Sequence, residues 1–426
     1  MLINCPECSC SISEHAHMCP HCGFPLRIVS NDFEIQGDTL IKYIGGRYDK
    51  TIVIPNGVKR ICESIFDDAY LEERVQVFVP KSVTAIDDKA FSFVNLIDIT
   101  VDVDNREYCS ENGVLFNKRK TELIRYPENK KETQYVVPDT VTTIKYCAFG
   151  DCSNLETVQL ANGLTDIEDS AFSGCVKLQS IYIPSNVRHI GECAFSGCVK
   201  LQSIYIPSNV QHIGECAFNG CINLIDIIVN NNNPAYNSLD GVLFETHSMT
   251  LHSYPANKEA SEYIIPDNVQ IIGNLAFCEC SKLKSIFVPQ TVTRIGDDAF
   301  LHCKNLRIIE GMNGVTFIGK SAFKGCEKLK SVHINDGIKI ISRTMFLGCK
   351  SMQQIKMSNS IVLIEKGAFY GCERLKTIRI PPNTERIEKG AFAECTNLST
   401  IRIPKNTDLS DDPFKYCDGD FRIIRY

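Results

Sequence analysis

Apolar residues recur along this chain in a pattern with a period of 23 residues. Residues 171–193 and 194–216 are identical except that Gln211 replaces Arg188. Each repeat contains L-x-x-I-x-I, whose alternation of apolar and polar positions predicts a short strand, and the proline that follows ends it. The next apolar run, V-x-x-I-G, predicts that the chain packs on the opposite side of the coil. We call the side formed by L-x-x-I-x-I the first wall and this side the second wall. Because one repeat cannot bury its apolar face alone, the period predicts a stack of coils with parallel strands about 4.8 Å apart.

An Ala-Phe pair follows the second run and marks the register of the repeat. Gly174 and its equivalents come two residues after the phenylalanine, where a tight corner requires a positive φ. The pair places its phenylalanine at Phe91, Phe149, Phe172, Phe195, Phe218, Phe277, Phe300, Phe323, Phe369 and Phe392. The period therefore extends over almost the whole chain.

The complete unit, L-x-x-I-x-I-P-x-x-V-x-x-I-G-x-x-A-F-x-G-C, resembles the BspA-like leucine-rich repeat over most of residues 35–426. This resemblance implies a repeat solenoid that is mainly β, with short parallel strands, tight corners and short helical turns. Members of this family are associated with surface adhesion or have no assigned activity. The resemblance thus implies a binding scaffold, with the exposed strand face as its binding surface.

Two longer spacings between the phenylalanines are related to each other. N-L-I-D-I, G-V-L-F and Tyr-Pro recur in both at one constant offset, which aligns Gly113 with Gly241 and Tyr126 with Tyr254. They predict extended repeats with hairpin inserts at residues 95–147 and 223–275. Within a solenoid predicted for residues 28–426, we expect an N-terminal cap at residues 35–66 and a C-terminal cap at residues 403–426.

Residues 1–27 precede the repeats and contain two C-x-x-C pairs. This segment resembles a short bacterial zinc ribbon, in which four thiolates bind one structural Zn(II) tetrahedrally. The predicted ligands are Cys5, Cys8, Cys19 and Cys22. Nearby side chains that offer substitute ligands are Cys10, His15, His17 and His21. The alternative is that these cysteines pair as disulfides, which the C-x-x-C spacing disfavours.

Composition and charge narrow the functional classes. The 426 residues carry a formal net charge of -6, which argues against a bulk nucleic-acid binder. The first residues show neither the basic nor the apolar region of an export signal, and no run of 18 apolar residues occurs. We therefore expect a cytoplasmic protein without a membrane span.

Half of the 22 cysteines fall at one position of the repeat. A residue that recurs at one position of stacked coils packs in one interior lane, where thiols act as small apolar groups and weak S–H donors. The lane is Cys152, Cys175, Cys198, Cys221, Cys280, Cys303, Cys326, Cys349, Cys372, Cys395 and Cys417. We expect these cysteines to serve in packing, with no catalytic or redox role.

Residues 314–321 match the phosphate-loop pattern G-x-x-x-x-G-K-S in full. The repeat register accounts for this match, since Ile318-Gly319 falls at the ordinary end of the second run. A phosphate loop also needs a long helix after it, and the repeat offers none. No other catalytic motif was found, so we expect neither an enzyme nor a small-molecule substrate.

The exposed positions of the first strand differ between repeats. The aromatic residues among them are Tyr182, Tyr205 and Phe287, and a basic strip follows with Lys330, His333, Lys356, Lys376, Arg379 and Arg402. One interpretation is a solvated sheet kept soluble by charge. The other is a ligand surface with aromatic anchors and a basic strip that attracts an acidic protein segment or a polyanion.

Three functional classes remain open. The favoured one is a non-enzymatic scaffold that binds a protein partner, with the zinc ribbon as a second docking or capping element. A cell-surface adhesin is the first alternative. A nucleic-acid-associated protein acting through the ribbon is the second, although residues 1–27 contain no lysine for contacts with phosphate.

Overall fold

The computed structural model describes residues 2–4, 10–13, 32–67, 69, 71–92, 94–417 and 421–426. All four predicted zinc ligands, Cys5, Cys8, Cys19 and Cys22, lie outside these residues. The chain divides into two compact units, Met1–Phe195 and Ser196–Tyr426. In each unit the described residues form a mainly-β stack of coils, as the repeat predicts.

The first unit contains 18 strands within its described residues. They are β1 (Leu2–Asn4), β2 (Ser11–Ser13), β3 (Phe33–Gln36), β4 (Thr39–Tyr43), β5 (Thr51–Val53), β6 (Arg60–Ile61), β7 (Val75–Val79), β8 (Ala85–Ile86), β9 (Leu96–Val101), β10 (Tyr108–Glu111), β11 (Val114–Asn117), β12 (Glu122–Arg125), β13 (Gln134–Val136), β14 (Thr143–Ile144), β15 (Thr157–Gln159), β16 (Asp166–Ile167), β17 (Ser180–Ile181) and β18 (His189–Ile190). Strands β1 and β2 form an antiparallel hairpin. The others pair in the orders β3-β4-β6-β8, β5-β7-β9, β10-β11-β12-β14-β16-β18 and β13-β15-β17.

The second unit contains the remaining strands of the described residues. They are β19 (Ser203–Ile206), β20 (His212–Ile213), β21 (Asp226–Val229), β22 (Tyr236–Leu239), β23 (Val242–Glu245), β24 (Thr250–Ser253), β25 (Glu262–Ile264), β26 (Ile271–Ile272), β27 (Ser285–Val288), β28 (Arg294–Ile295), β29 (Ile308–Gly311), β30 (Phe317–Ile318), β31 (Ser331–Ile334), β32 (Ile340–Ile341), β33 (Gln354–Met357), β34 (Leu363–Ile364), β35 (Thr377–Arg379), β36 (Arg386–Ile387), β37 (Thr400–Ile403), β38 (Asp408–Leu409) and β39 (Arg422–Arg425). On the first wall the orders are β19-β21, β25-β27-β29, β31-β33 and β35-β37-β39. The second wall has the orders β22-β23-β24-β26-β28-β30 and β32-β34-β36-β38.

The coil around β27 shows how the repeat folds. Ile286 and Val288 are buried, whereas Phe287 between them is 43% exposed, so the alternation of the strand separates core from surface. Pro289 follows β27 and cannot donate to a continuing ladder, so the chain turns there. After this turn the chain forms strand β28 on the second wall. Both strands pair in parallel with their equivalents in the next repeat, β29 and β30.

The third side of each coil carries the Ala-Phe pair. The Phe300 ring lies parallel to that of Phe323, 5.3 Å between centroids, and each phenylalanine amide donates to the carbonyl of the next coil. The cysteine lane lies beside them, and the Cys326 thiol donates to the Phe300 carbonyl at 3.2 Å. Burial raises the pKa of the Cys349 thiol, so it stays protonated. The predicted packing role of this lane is confirmed for these residues.

The resemblance implied short helical turns, and this prediction is wrong. The described residues contain no helix, and the Ala-Phe corners are successive turns. Asp298 and His302 in one corner both have positive φ, 52° and 56°, and Thr344 and Gly348 occupy the same places in another. Two left-handed residues four positions apart interrupt the dihedral angles that a helical turn requires. The predicted positive φ of Gly174 and of its equivalents is confirmed.

Each extended repeat adds three antiparallel strands, β10-β11-β12 and β22-β23-β24. A buried asparagine attaches each addition to the preceding coil. The side-chain amide of Asn233 donates to the carbonyls of Pro207 and Val210, and its oxygen accepts from the amides of Ala235 and Tyr236. Asn105 makes the equivalent set in the first unit.

The two extended repeats differ at one buried pair. In the first, the Arg125 guanidinium lies 3.0 Å from the Glu128 carboxylate, and their side chains are 8% and 12% exposed. The other Glu128 oxygen accepts from the Leu96 amide at 2.8 Å. Burial raises the pKa of the Glu128 carboxyl even with the guanidinium beside it. At the equivalent positions the second extended repeat has Ser253 and Ala256 instead.

Removing one member of this pair should cost more stability than removing both. We expect Arg125→Ser to lower the free energy of unfolding by about 3–5 kcal/mol, because it leaves a carboxylate buried without its partner. The double variant Arg125→Ser/Glu128→Ala copies the second extended repeat and should recover most of that loss. Urea denaturation of the three proteins checks this, and a double variant as unstable as the single one would contradict it.

Candidate functional site

A groove of about 1100 Å³ lies on the exposed first wall of the second unit, between strands β33 and β35. Its walls run along both strands, from Gln353 to Asn359 on one side and from Arg374 to Pro382 on the other. Strand β33 ends the two-stranded sheet that it forms with β31, and β35 begins the sheet β35-β37-β39. The groove therefore lies at a break in the ladder of parallel strands.

The packing beneath the groove is looser than in the neighbouring coils. Ile355 and Met357 are partly buried, and the groove reaches both side chains. Their counterparts one coil before and after are at most 5% exposed: Val332, Ile334, Ile378 and Ile380. The sequence also departs from the repeat here, since Met357-Ser358 replaces Ile-Pro. The floor of the groove is consequently apolar and open to a ligand.

The charges that line the groove all have the same sign. Lys356, Arg374, Lys376 and Arg379 face it, and its lining, as far as the described residues show, includes no aspartate or glutamate. Tyr426 holds Arg379 in place, because its ring lies 4.7 Å from the guanidinium carbon and its hydroxyl donates to the Ile380 carbonyl. Four cations over an apolar floor favour an anionic ligand that also has apolar groups.

The structure brings part of the predicted basic strip into this groove. Lys356, Lys376 and Arg379 line it. His333 lies beside Lys356 on β31, and Arg402 lies beside Arg379 on β37, both as register partners outside the lining. Lys330, just before β31, is exposed and also lies outside the lining.

The three predicted aromatic anchors do not line the groove. Tyr182 belongs to the first unit and is 67% exposed. Tyr205 is 38% exposed, and its hydroxyl accepts from the side-chain amide of Asn230. Phe287 is 43% exposed and lies on β27 between Ile264 and Glu310 of the neighbouring strands.

Several groove residues were not among the predicted site residues. They include Arg374, Ile355, Met357, Pro381 and Pro382. Arg374 falls outside the alternating strand positions from which the strip was read. Ile355, Met357 and Pro381 occupy scaffold positions of the repeat, and Pro382 falls at the variable position that follows. The loss of Ile-Pro at 357–358 was the available signal, because a departure from a strict repeat marks a coil whose packing differs.

The phosphate-loop match contributes no site. Residues 314–321 contain a turn, strand β30 and the start of an Ala-Phe corner, which is the ordinary course of a coil. The side chain of Ser321 lies 2.7 Å from the Thr344 hydroxyl of the next coil. No helix follows in this part of the described chain.

A second cavity lies inside the second unit, where Ser253 and Ala256 replace the buried ion pair. Its volume of about 20 Å³ has room for one water molecule, so it is too small for an organic ligand. The His252 ring lines it, with Nε2 3.3 Å from the Ile213 carbonyl and Nδ1 buried without a partner among the described residues. Burial lowers the pKa of His252.

The repeats that build these coils match a known family. The model of the BspA-type leucine-rich repeat region matches residues 48–134, 128–247, 252–316 and 293–419. The chain belongs to the BspA-type leucine-rich repeat family. Such repeats are typical of non-enzymatic binding scaffolds. No curated protein matches this BspA-type chain in sequence.

Two solved structures resemble the BspA-type fold described above. A leucine-rich repeat protein from Eubacterium ventriosum is 27% identical, with a TM-score of 0.64, over 72% of this chain and 91% of its own. A leucine-rich cell surface protein from Faecalibacterium prausnitzii is 26% identical, with a TM-score of 0.52, over 87% of this chain and 92% of its own. In the part of the chain that the structure describes, no helix has the length and apolarity to cross a membrane.

His252 makes stability depend on pH. Because its pKa is lowered in the folded protein, its contribution is present above the ordinary histidine value of about 6.5 and is lost as the pH falls. The charged groups around it are Glu245 and Glu215, which favour the protonated ring, and His212, which opposes it. Their net effect on the pKa of His252 is smaller than the effect of burial.

We expect the free energy of unfolding to fall more steeply between pH 7 and pH 5 in the wild type than in His252→Ile. The variant introduces the residue found at the equivalent position of the first extended repeat, Ile124. Denaturation midpoints measured at intervals across this range check the slope. If the unfolding free energy of the two proteins falls equally with pH, burial does not lower the pKa of His252 enough to affect stability.

Proposed function

We propose that this BspA-type protein is a non-enzymatic binding scaffold whose exposed first wall, in the second unit, binds an acidic protein partner. The observation that carries the proposal is the groove between β33 and β35, where four cations and no carboxylate of the described lining surround an apolar floor. Charge of one sign steers an oppositely charged partner, and apolar burial supplies affinity. His333, Lys330 and Arg402 extend the basic surface beyond the groove.

A protein partner suits this surface better than a nucleic acid does. Binding to a phosphate backbone needs a long basic stripe, and each phosphate contact adds salt dependence to affinity. Here the basic strip, from Lys330 to Arg402, covers only a few coils of a protein with a net charge of -6. The apolar floor of Ile355 and Met357 would also find little to bury against phosphates.

We assign the protein to the cytoplasm. Support comes from the cysteine lane, in which buried thiols such as Cys303, Cys326 and Cys349 donate to main-chain carbonyls. A reducing compartment maintains such thiols. A cell-surface adhesin is the second candidate, favoured by the cell-surface description of the Faecalibacterium structure. Protease treatment of intact cells separates the two, because it digests only the adhesin.

Residues 1–27 supply a second element in this proposal, a zinc ribbon that docks a partner or caps the repeats. Support comes from the donor set, since two C-x-x-C pairs offer four thiolates. Such a set suits one tetrahedral Zn(II) of structural type. So short a segment has too little apolar surface to fold without the metal.

Charge reversal on the first wall tests the scaffold. We expect Lys356→Glu/Arg379→Glu/Arg402→Glu to weaken binding of fluorescein-labelled polyglutamate by at least tenfold, or about 1.4 kcal/mol, in fluorescence anisotropy at fixed salt. The matched control, Lys320→Glu/Lys339→Glu/Lys366→Glu, changes the net charge equally at exposed positions outside the first-wall strands. Equal weakening in both variants would refute a specific surface.

Metal analysis tests the ribbon. The purified protein should contain about one zinc per chain, and Cys19→Ser/Cys22→Ser should contain almost none, because two thiolates cannot hold a tetrahedral structural site. Cys303→Ser is the control, since it removes a thiol from the packing lane instead. A zinc content unchanged by the double substitution would contradict the assignment of these ligands.

A further inference from the structure

The groove between β33 and β35 is graded along its length. At the end where both strands begin, Arg374 and Lys376 line it beside the polar side chains of Gln353 and Gln354. Lys356 and Arg379, one repeat apart, occupy the middle. At the other end, where the strands finish, the lining is mostly apolar, with Met357, Pro381 and Pro382 beside the one polar residue Asn359. A ligand that matches this gradient is acidic at one end and apolar at the other.

The groove also has the shape of an extended chain. It follows β33 and the residues that flank it, from Gln353 to Asn359, a path of at most about 20 Å at 3.3 Å per residue. Strands β33 and β35 are edge strands of their sheets, with no strand partner on their facing sides among the described residues. Some Cα atoms of the two strands lie within 8 Å of each other, which is too close for another strand to pair between them, so a ligand would lie over the strands and contact their side chains.

We propose that this groove binds an extended peptide segment of about six residues, with carboxylates at the Arg374–Lys376 end and an apolar side chain at the Met357–Pro381 end. The proposal rests on the proposed scaffold function and assigns that function to one site. Charge complementarity selects the acidic end, since no carboxylate of the described lining neutralises the four cations. Apolar contact with the partly buried Met357 fixes the direction of the segment in the groove.

Fixed direction distinguishes this site from a general basic surface. A diffuse strip binds any polyanion in proportion to charge, and its affinity falls steeply with salt. A graded groove instead needs both ends of the ligand. Loss of either the acidic or the apolar end should weaken binding, and the apolar contribution should persist at high salt.

The experiment uses the full-length protein and a fluorescein-labelled probe with the sequence Glu-Glu-Glu-Ser-Leu-Leu, together with versions in which glutamine replaces glutamate or serine replaces leucine. A probe with the reversed sequence, Leu-Leu-Ser-Glu-Glu-Glu, is also measured, because the peptide chain could run in either direction along the groove. Fluorescence anisotropy gives each Kd. We expect one of the two orders, forward or reversed, to bind more tightly than the other. Relative to the forward probe, both the glutamine and the serine versions should bind at least tenfold more weakly.

Matched protein variants then locate the site. Arg374→Glu/Lys376→Glu should weaken binding of the favoured probe at least tenfold. Lys284→Glu/Arg307→Glu makes the same change of charge just before strands β27 and β29 of the same wall, outside the groove lining, and should weaken it less than threefold. A photoreactive leucine at the apolar end of the probe should crosslink to residues 355–359 or 381–382.

The outcomes separate this proposal from the proposed function. If both variants lose affinity equally and serine replaces leucine without effect, the wall binds acidic partners as a diffuse strip and the groove proposal is overturned. If no probe binds the wild type, and polyglutamate does not bind either, both proposals are overturned. Variants with unchanged circular dichroism and thermal midpoint show that the losses are not caused by unfolding.

Discussion

Each coil of this protein buries its apolar face only against the next coil, and this constraint accounts for the rest of the structure. A residue inside one coil meets its own equivalent in the next coil, so every interior position becomes a lane of like residues. Phenylalanine rings stack at 5.3 Å, and thiols donate to carbonyls of the preceding coil. Parallel strands repeat the same register on both walls. Packing alone therefore makes the same residue types recur along these lanes.

The same constraint explains why a groove can open at a single coil. Where Met357-Ser358 replaces Ile-Pro, the first-wall ladder is divided between two sheets and the core beneath is partly exposed. The second wall stays continuous there, since β32-β34-β36-β38 pair in order. One side of the stack opens while the other side and the Ala-Phe lane hold the coils together. Local loosening thus creates a groove without loss of the fold.

Much of this fold could be predicted from the sequence, because a strict period specifies the register. The strand at L-x-x-I-x-I, the positive φ of Gly174 and the cysteine lane follow from the repeat. The prediction of helical turns was wrong, because the φ of residues such as Asp298 and Thr344 depends on how each corner packs against the corner of the next coil. Of the candidate site, the sequence indicated Lys356, Lys376 and Arg379 but missed Arg374 and the apolar floor. The scaffold positions Ile355 and Met357 line the groove beside a break in the first-wall ladder, and that break depends on contacts between coils.

The sequence by itself determined the period, the inward and outward faces of each strand and the sign of the charge on the first wall. Side-chain alternation and repeat spacing are local properties, so they can be read from the chain alone. Tertiary structure decided which exposed residues share a site. It separated the aromatic residues from the groove, joined Arg374 to Lys356 across two coils and placed Tyr426 against Arg379. These contacts depend on how far adjacent coils separate, which is set by packing between repeats.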